Sequence, residues 1–100
     1  MPVMIVSETA SREEYEAVAG RLDFAADRPA GLIAHGAGER EAGGVRIVSF
    51  WESADDAQAF ERDRLFPAFE ALGVSADTQQ RPELVETFEY VGYSGTTAVT

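Results

Sequence analysis

The chain has 100 residues, 45% of them hydrophobic, enough for one domain with a modest core and too many for a disordered segment. Eighteen acidic residues against eight basic ones give a net charge of −10, a field that repels phosphate backbones and anionic headgroups, so no nucleic-acid or membrane partner is expected. Cysteine and lysine are both absent, which removes disulfides, thiolate nucleophiles, cysteine metal sites and side-chain Schiff bases together.

Met1 to Val6 is apolar but short, lacks a basic flank and soon meets Glu8. It reads as neither signal peptide nor membrane span, and a soluble, cytoplasmic protein is expected. Val3 to Glu8 is predicted as a strand. Ser11 opens a helix as a capping box with Glu14, and Tyr15, Val18, Ala19 and Leu22 form its apolar face. Asp23 to Ala30 is a loop. Gly31 to Gly38 and Val45 to Ser53 then read as two antiparallel strands around a turn within Glu39 to Gly44, carrying the only histidine and the only tryptophan. The register is open. A four-residue loop puts His35 and Trp51 on opposite faces, whereas a three-residue loop with a glycine bulge pairs His35 with Ser49 and puts both rings on one face.

A second helix starts at Ser53, with Ala57 and Phe60 on its buried side. Pro67 is expected to kink or split it, with Phe66, Phe69 and Leu72 continuing the apolar face and Gly73 ending it. Val74 to Pro82 is a polar connection and Glu83 to Val91 a last strand. Residues 92–100 form a Gly/Thr/Ser-rich tail, leaving 1–91 as the single domain; whether the tail crosses to a partner is open.

Two β-α-β halves with right-handed crossovers make an α+β, ferredoxin-like βαββαβ sandwich: a four-stranded antiparallel sheet with both helices on one face. The strands are apolar on both faces, so the uncovered face calls for a second copy, a homodimer packed sheet against sheet.

The plan, with Pro29-Ala-Gly-Leu-Ile-x-His35, Phe50-Trp-Glu-Ser53, Phe60 and Arg64-Leu-Phe-Pro-Ala68, resembles the dimeric α/β-barrel superfamily. Within it the sequence is most similar to short actinobacterial proteins near the antibiotic-biosynthesis monooxygenases, a resemblance spanning residues 2 to 91. It implies fold and dimerisation; the activities it brings include cofactor-free quinone-forming oxygenases, haem-degrading enzymes, lactone isomerases and polyketide cyclases.

His35 is the candidate catalytic base, with small neighbours at Ala34, Gly36, Ala37 and Gly38 that suggest room for a ligand. A core or interface histidine bonded to backbone is the alternative. Trp51 is either a stacking platform for an aromatic substrate or a core residue. Ser49 and Phe66 are candidate wall residues, and Tyr15 and Tyr90 candidate phenolic donors or packing groups. Glu86 and Glu89 read as carboxylates in a dry cavity or as protection of an edge strand. Arg46 holds an anionic substrate or a dimer salt bridge.

No cofactor is expected. One histidine and no cysteine make a poor metal set, no nucleotide-binding loop is present, and the helical histidine of haem-degrading relatives has no counterpart. The functional expectation is a small-molecule pocket with monooxygenase- or cyclase-like chemistry on an aromatic or polyketide-like substrate. The alternatives are a non-catalytic hydrophobic-ligand binder and a structural homodimer.

Overall fold

The computed structural model describes residues 2–73 and 80–92. The chain runs β1 (Val3–Thr9), α1 (Arg12–Leu22), β2 (Leu32–Glu39), β3 (Val45–Trp51), α2 (Ala54–Phe60), a π-helical turn (Glu61–Leu65), α3 (Phe66–Leu72) and β4 (Gln80–Glu86). The strands form one antiparallel sheet in the order β2-β3-β1-β4, the ferredoxin-like arrangement expected from the sequence. Both helices begin on serine caps. Ser11 Oγ accepts from the Glu14 amide and Ser53 Oγ from the Asp56 amide, each at 3.1 Å, satisfying donors that the first turn leaves orphaned.

The β2–β3 turn resolves the register. The Arg40 amide donates to the Gly44 carbonyl and the Gly43 amide to the Arg40 carbonyl, both at 2.9 Å, so the loop proper is Glu41 to Gly43. Gly43 and Gly44 take φ of 100° and 80°, left-handed values that a β-carbon disfavours. His35 therefore lies opposite Ser49, and His35, Ser49 and Trp51 share one face. An irregularity between Leu32 and Ala34 leaves Ile33 without a partner, so Leu32 and His35 point the same way although three residues apart.

That face carries Val3, Ile5, Leu32 and Trp51, which pack with Ala57 of α2 into one buried cluster. Val18, Leu22 and Ala68 make a second cluster between α1 and α3. Phe24 and Phe60 touch both. The other sheet face presents Met4, Val6, Val48, Phe50 and Val85, all only half-buried, with no helix over them among the described residues.

Pro67 splits the second helix, as expected, and the split takes the form of a π turn, Glu61–Leu65, in which the Phe66 amide reaches back five residues to the Glu61 carbonyl. Proline cannot donate to the carbonyl four residues before it and its ring crowds that carbonyl, and the wider turn relieves both. The extra residue rotates the helix beyond it, so α3 turns Ala68 and Phe69 inward while Phe66 is 49% and Leu72 39% exposed. The last strand begins earlier and stops at Glu86, not Val91. Glu86 already faces Val3, and beyond it lies Pro2, which has no amide to offer and whose carbonyl instead accepts from Thr87 Oγ1 at 2.6 Å. Most of the connection, residues 74–79, lies outside the described residues, as does the tail from 93 onward.

Candidate active site

Between the helix-facing side of the sheet and α1, the π turn and α3 lies a cavity of about 440 Å³, within the size range of small-molecule sites. Its walls are mostly apolar and aromatic. All four residues of the predicted α1 face, Tyr15, Val18, Ala19 and Leu22, line it. Small side chains on the central strands, Ser7 and Thr9 on β1 and Ser49 on β3, leave the volume unfilled. The small residues Ala34 and Gly36, expected to make that room, point to the opposite face, opposite Phe50 and Val48.

His35 reaches the cavity from the edge strand, and across from it Tyr15 rises from α1. The Tyr15 hydroxyl and His35 Nε2 are 2.9 Å apart. The two rings lie nearly parallel, 12° between planes, and the edge of Phe24 meets the imidazole at 4.9 Å between centroids. Loss of hydration lowers the His35 pKa from 6.5 and raises that of Tyr15 from 10.0. His35 remains exposed to solvent, so its desolvation is partial. A neutral imidazole and a protonated phenol share one hydrogen bond, whose direction follows the imidazole tautomer. Such a pair takes a proton from a ligand at one nitrogen and relays charge to the phenol at the other.

Trp51 is 2% exposed, and its indole N–H donates to Ser49 Oγ at 2.8 Å. It is a core residue that also shows the cavity part of its ring, packed on Phe60 with centroids 5.1 Å apart. Phe66 lines the cavity while remaining half in solvent, which puts it at the mouth. Of the predicted site residues, His35, Trp51, Phe66 and Ser49 thus meet around one space. Tyr90 and Glu86 do not. Tyr90 packs on Phe50 over the open sheet face, 5.7 Å between centroids, and exposed Glu86 sits at the end of β4, off the cavity wall. Glu89 falls beyond the strand. Arg46 is bound within its own chain, to Glu8 at 2.7 Å, where Arg40 also reaches the carboxylate at 3.1 Å. The Arg46 hydrogen bond holds the Glu8 carboxyl below its ordinary range.

One titratable wall residue was not singled out from sequence: Glu61, the first residue of the π turn, whose carboxyl is pushed up from 4.5 by burial. No local sequence signal marks it, because its direction depends on how Pro67 is accommodated.

By sequence, no protein-family model and no curated protein matches the chain. Solved structures do. SnoaB, a cofactor-independent oxygenase from Streptomyces nogalater, superposes with a TM-score of 0.64 at 16% identity, over 92% of this chain and 98% of that one. A protein named for the antibiotic biosynthesis monooxygenases, from Chloroflexus aurantiacus J-10-fl, gives 0.64 at 11% identity, again over 92% and 98%. The fold is that of the antibiotic-biosynthesis-monooxygenase-like proteins. The same fold is found in MhuD, a heme-degrader from Mycobacterium tuberculosis, with a TM-score of 0.54 at 20% identity over 92% and 100% of the two chains. No helix among the described residues is long and apolar enough to cross a membrane.

Proposed function

We propose that the protein takes an aromatic or polyketide-like molecule into this cavity and acts on it as a cofactor-free oxygenase or cyclase, with His35 as the base. One observation carries the reading: an apolar, aromatic-walled space whose edge holds a hydrogen-bonded imidazole–phenol pair. The unfilled volume beside His35 supports a pocket role over a purely structural one. SnoaB, on the same fold, supports the oxygenase form.

In that form His35 removes a proton from a methylene activated by flanking aromatic rings and a carbonyl. The carbanion passes an electron to dioxygen, the second substrate, and a C–O bond forms. The resulting hydroperoxide breaks its O–O bond as the second methylene hydrogen leaves, so that the methylene plus dioxygen gives a carbonyl plus water. In the cyclase form the same carbanion attacks a ketone carbon, a C–C bond forms, and water leaves. Tyr15 accepts from the imidazolium's Nε2–H and so steadies its charge, and the aromatic walls exclude water from the anion.

Haem chemistry is disfavoured by the donors present. The only histidine is His35, which lies on a strand and whose Nε2 is already engaged by Tyr15 at 2.9 Å.

The reading includes a homodimer through the open sheet face, where Met4, Val6, Val48, Phe50 and Val85 make an apolar surface flanked by the Glu8–Arg46 pair.

The test pairs binding with turnover. Quenching of the single tryptophan by 2-methyl-1,4-naphthoquinone reads occupancy, and oxygen uptake with 1,8-dihydroxyanthrone reads chemistry above the uncatalysed rate. Wild type is expected to do both, and His35→Ala to bind while losing uptake. Binding without uptake in the wild type makes the protein a carrier of hydrophobic ligands. Absence of saturable binding removes the pocket reading altogether.

A further inference from the structure

We propose that Glu61 is a second polar anchor of the cavity, a carboxylic acid whose O–H donates to a carbonyl or quinone oxygen of the bound molecule, so that the site selects oxygenated aromatics over plain hydrocarbons. The proposal rests on the cavity being the ligand site.

Three features of the structure meet at this residue. The π turn places Glu61 on the cavity wall next to Phe60, while Tyr15 and His35 enter from α1 and β2. Nearby cations are committed elsewhere. Arg62 forks onto Asp63 at 2.8 and 3.0 Å, and Arg64 donates to the Leu22 and Asp27 carbonyls at 2.9 and 3.0 Å while its guanidinium lies over the Phe60 ring. Among the described residues the Glu61 carboxyl has neither an ion pair nor a hydrogen-bond partner; its backbone alone is bonded, within the helix. Tyr15, His35 and Glu61 are the titratable groups on the wall among the described residues.

A carboxylate facing apolar walls without a counter-cation is disfavoured, and burial accordingly shifts Glu61 toward its neutral form. A neutral carboxyl is one donor and one acceptor, whereas the ionised group only accepts. A ligand carbonyl offers lone pairs alone. It is therefore matched by protonated Glu61 and repelled by the carboxylate. Hydrocarbons gain nothing from either form. Glu61 is half-buried in the free protein, and a ligand that covers it without a complementary atom leaves it unpaired, which is how such a group selects.

The probe is 2-methyl-1,4-naphthoquinone, which has two carbonyls and no ionisable group, so any pH dependence of its affinity belongs to the protein. The protein has no cysteine or lysine for it to alkylate. Tryptophan quenching is followed from acid to neutral pH for wild type, Glu61→Gln and Glu61→Met, beside the hydrocarbon 2-methylnaphthalene. Wild-type affinity for the quinone is expected to fall about tenfold as Glu61 ionises. Glu61→Gln keeps a neutral donor, holding the acid-side affinity with that fall removed. Glu61→Met, with no donor, binds the quinone about tenfold more weakly at acid pH. Any step due to His35 is common to all three proteins and cancels in the comparison.

A Glu61→Gln profile identical to wild type overturns the proposal, as does an equal pH-dependent loss for the hydrocarbon. Either result leaves the cavity reading intact if both proteins bind. Absence of quinone binding by the wild type sinks both.

Discussion

At Tyr15 and His35 the chemistry of the cavity reduces to one shared hydrogen bond at 2.9 Å. Tyr15→Phe keeps the ring and its packing and deletes the bond. Because the pair is partly exposed, we expect a stability change of at most about 1 kcal/mol by urea denaturation, with a much larger loss of oxygen uptake. Trp51→Ala is the contrasting case: at 2% exposure it removes a core ring, and about 3–5 kcal/mol of stability should go with it. The shifts at His35 and Glu61 leave opposite marks on stability. His35 resists protonation in the folded chain below 6.5, so the unfolded chain binds more protons there, and stability falls as pH drops through 6.5 toward the folded value. Glu61 holds its proton above 4.5 in the folded chain, so its contribution falls as pH rises from 4.5 through the folded value. Glu61→Gln should abolish the second slope and leave the first, as read from denaturation midpoints over the acid-to-neutral range. A variant that keeps both slopes would show that another group carries the second.

Among the elements, the junction of β2 with α2 is the most constrained. Gly31 has φ of 83°, its carbonyl accepts from the Glu52 amide at 2.8 Å, and a β-carbon on it would run into the Asp56 side chain. Asp56 is itself tied to the Ser53 cap, accepting from Ser53 Oγ at 3.0 Å. Gly31→Ala should cost at least about 1–2 kcal/mol from backbone conformation alone, and more because α2 must shift at its start. Ser53→Ala should cost about 1 kcal/mol. Much at this scale was legible in the chain. Ser11 and Ser53 announce their helices, Gly43 and Gly44 the hairpin, Gly73 the end of α3. The features that were not legible depend on partners distant in sequence or on a count of one residue. The three-residue length of the β2–β3 loop decides which way His35 points, the π turn decides which way Glu61 points, and Pro2 ends a strand more than eighty residues later. Sequence reasoning offered Glu86 and Glu89 as cavity carboxylates or as protection of an edge strand. The carboxylate on the cavity wall is instead Glu61, because face assignment beyond a helix irregularity cannot be read from periodicity. Likewise Tyr15 and His35 belong to different elements, and nothing in the spacing between them signals their bond.

For the whole molecule, the open sheet face predicts assembly. A dimer should show about twice the chain mass of 10.8 kDa in light scattering, and Val48→Glu together with Phe50→Glu should return it to monomer by setting like charges across the joint. Retention of the dimer by that double variant would place the interface elsewhere. The wide gap between the two core clusters, spanned by Phe24 and Phe60, has a mechanical consequence as well. A void of about 440 Å³ disappears on unfolding, so hydrostatic pressure should denature the ligand-free protein more readily than a solid domain of its length. A ligand that occupies the void completes the interior and takes away that volume gain. Pressure resistance would then rise with occupancy, and the substrate, while bound, would serve as the missing layer of the hydrophobic core.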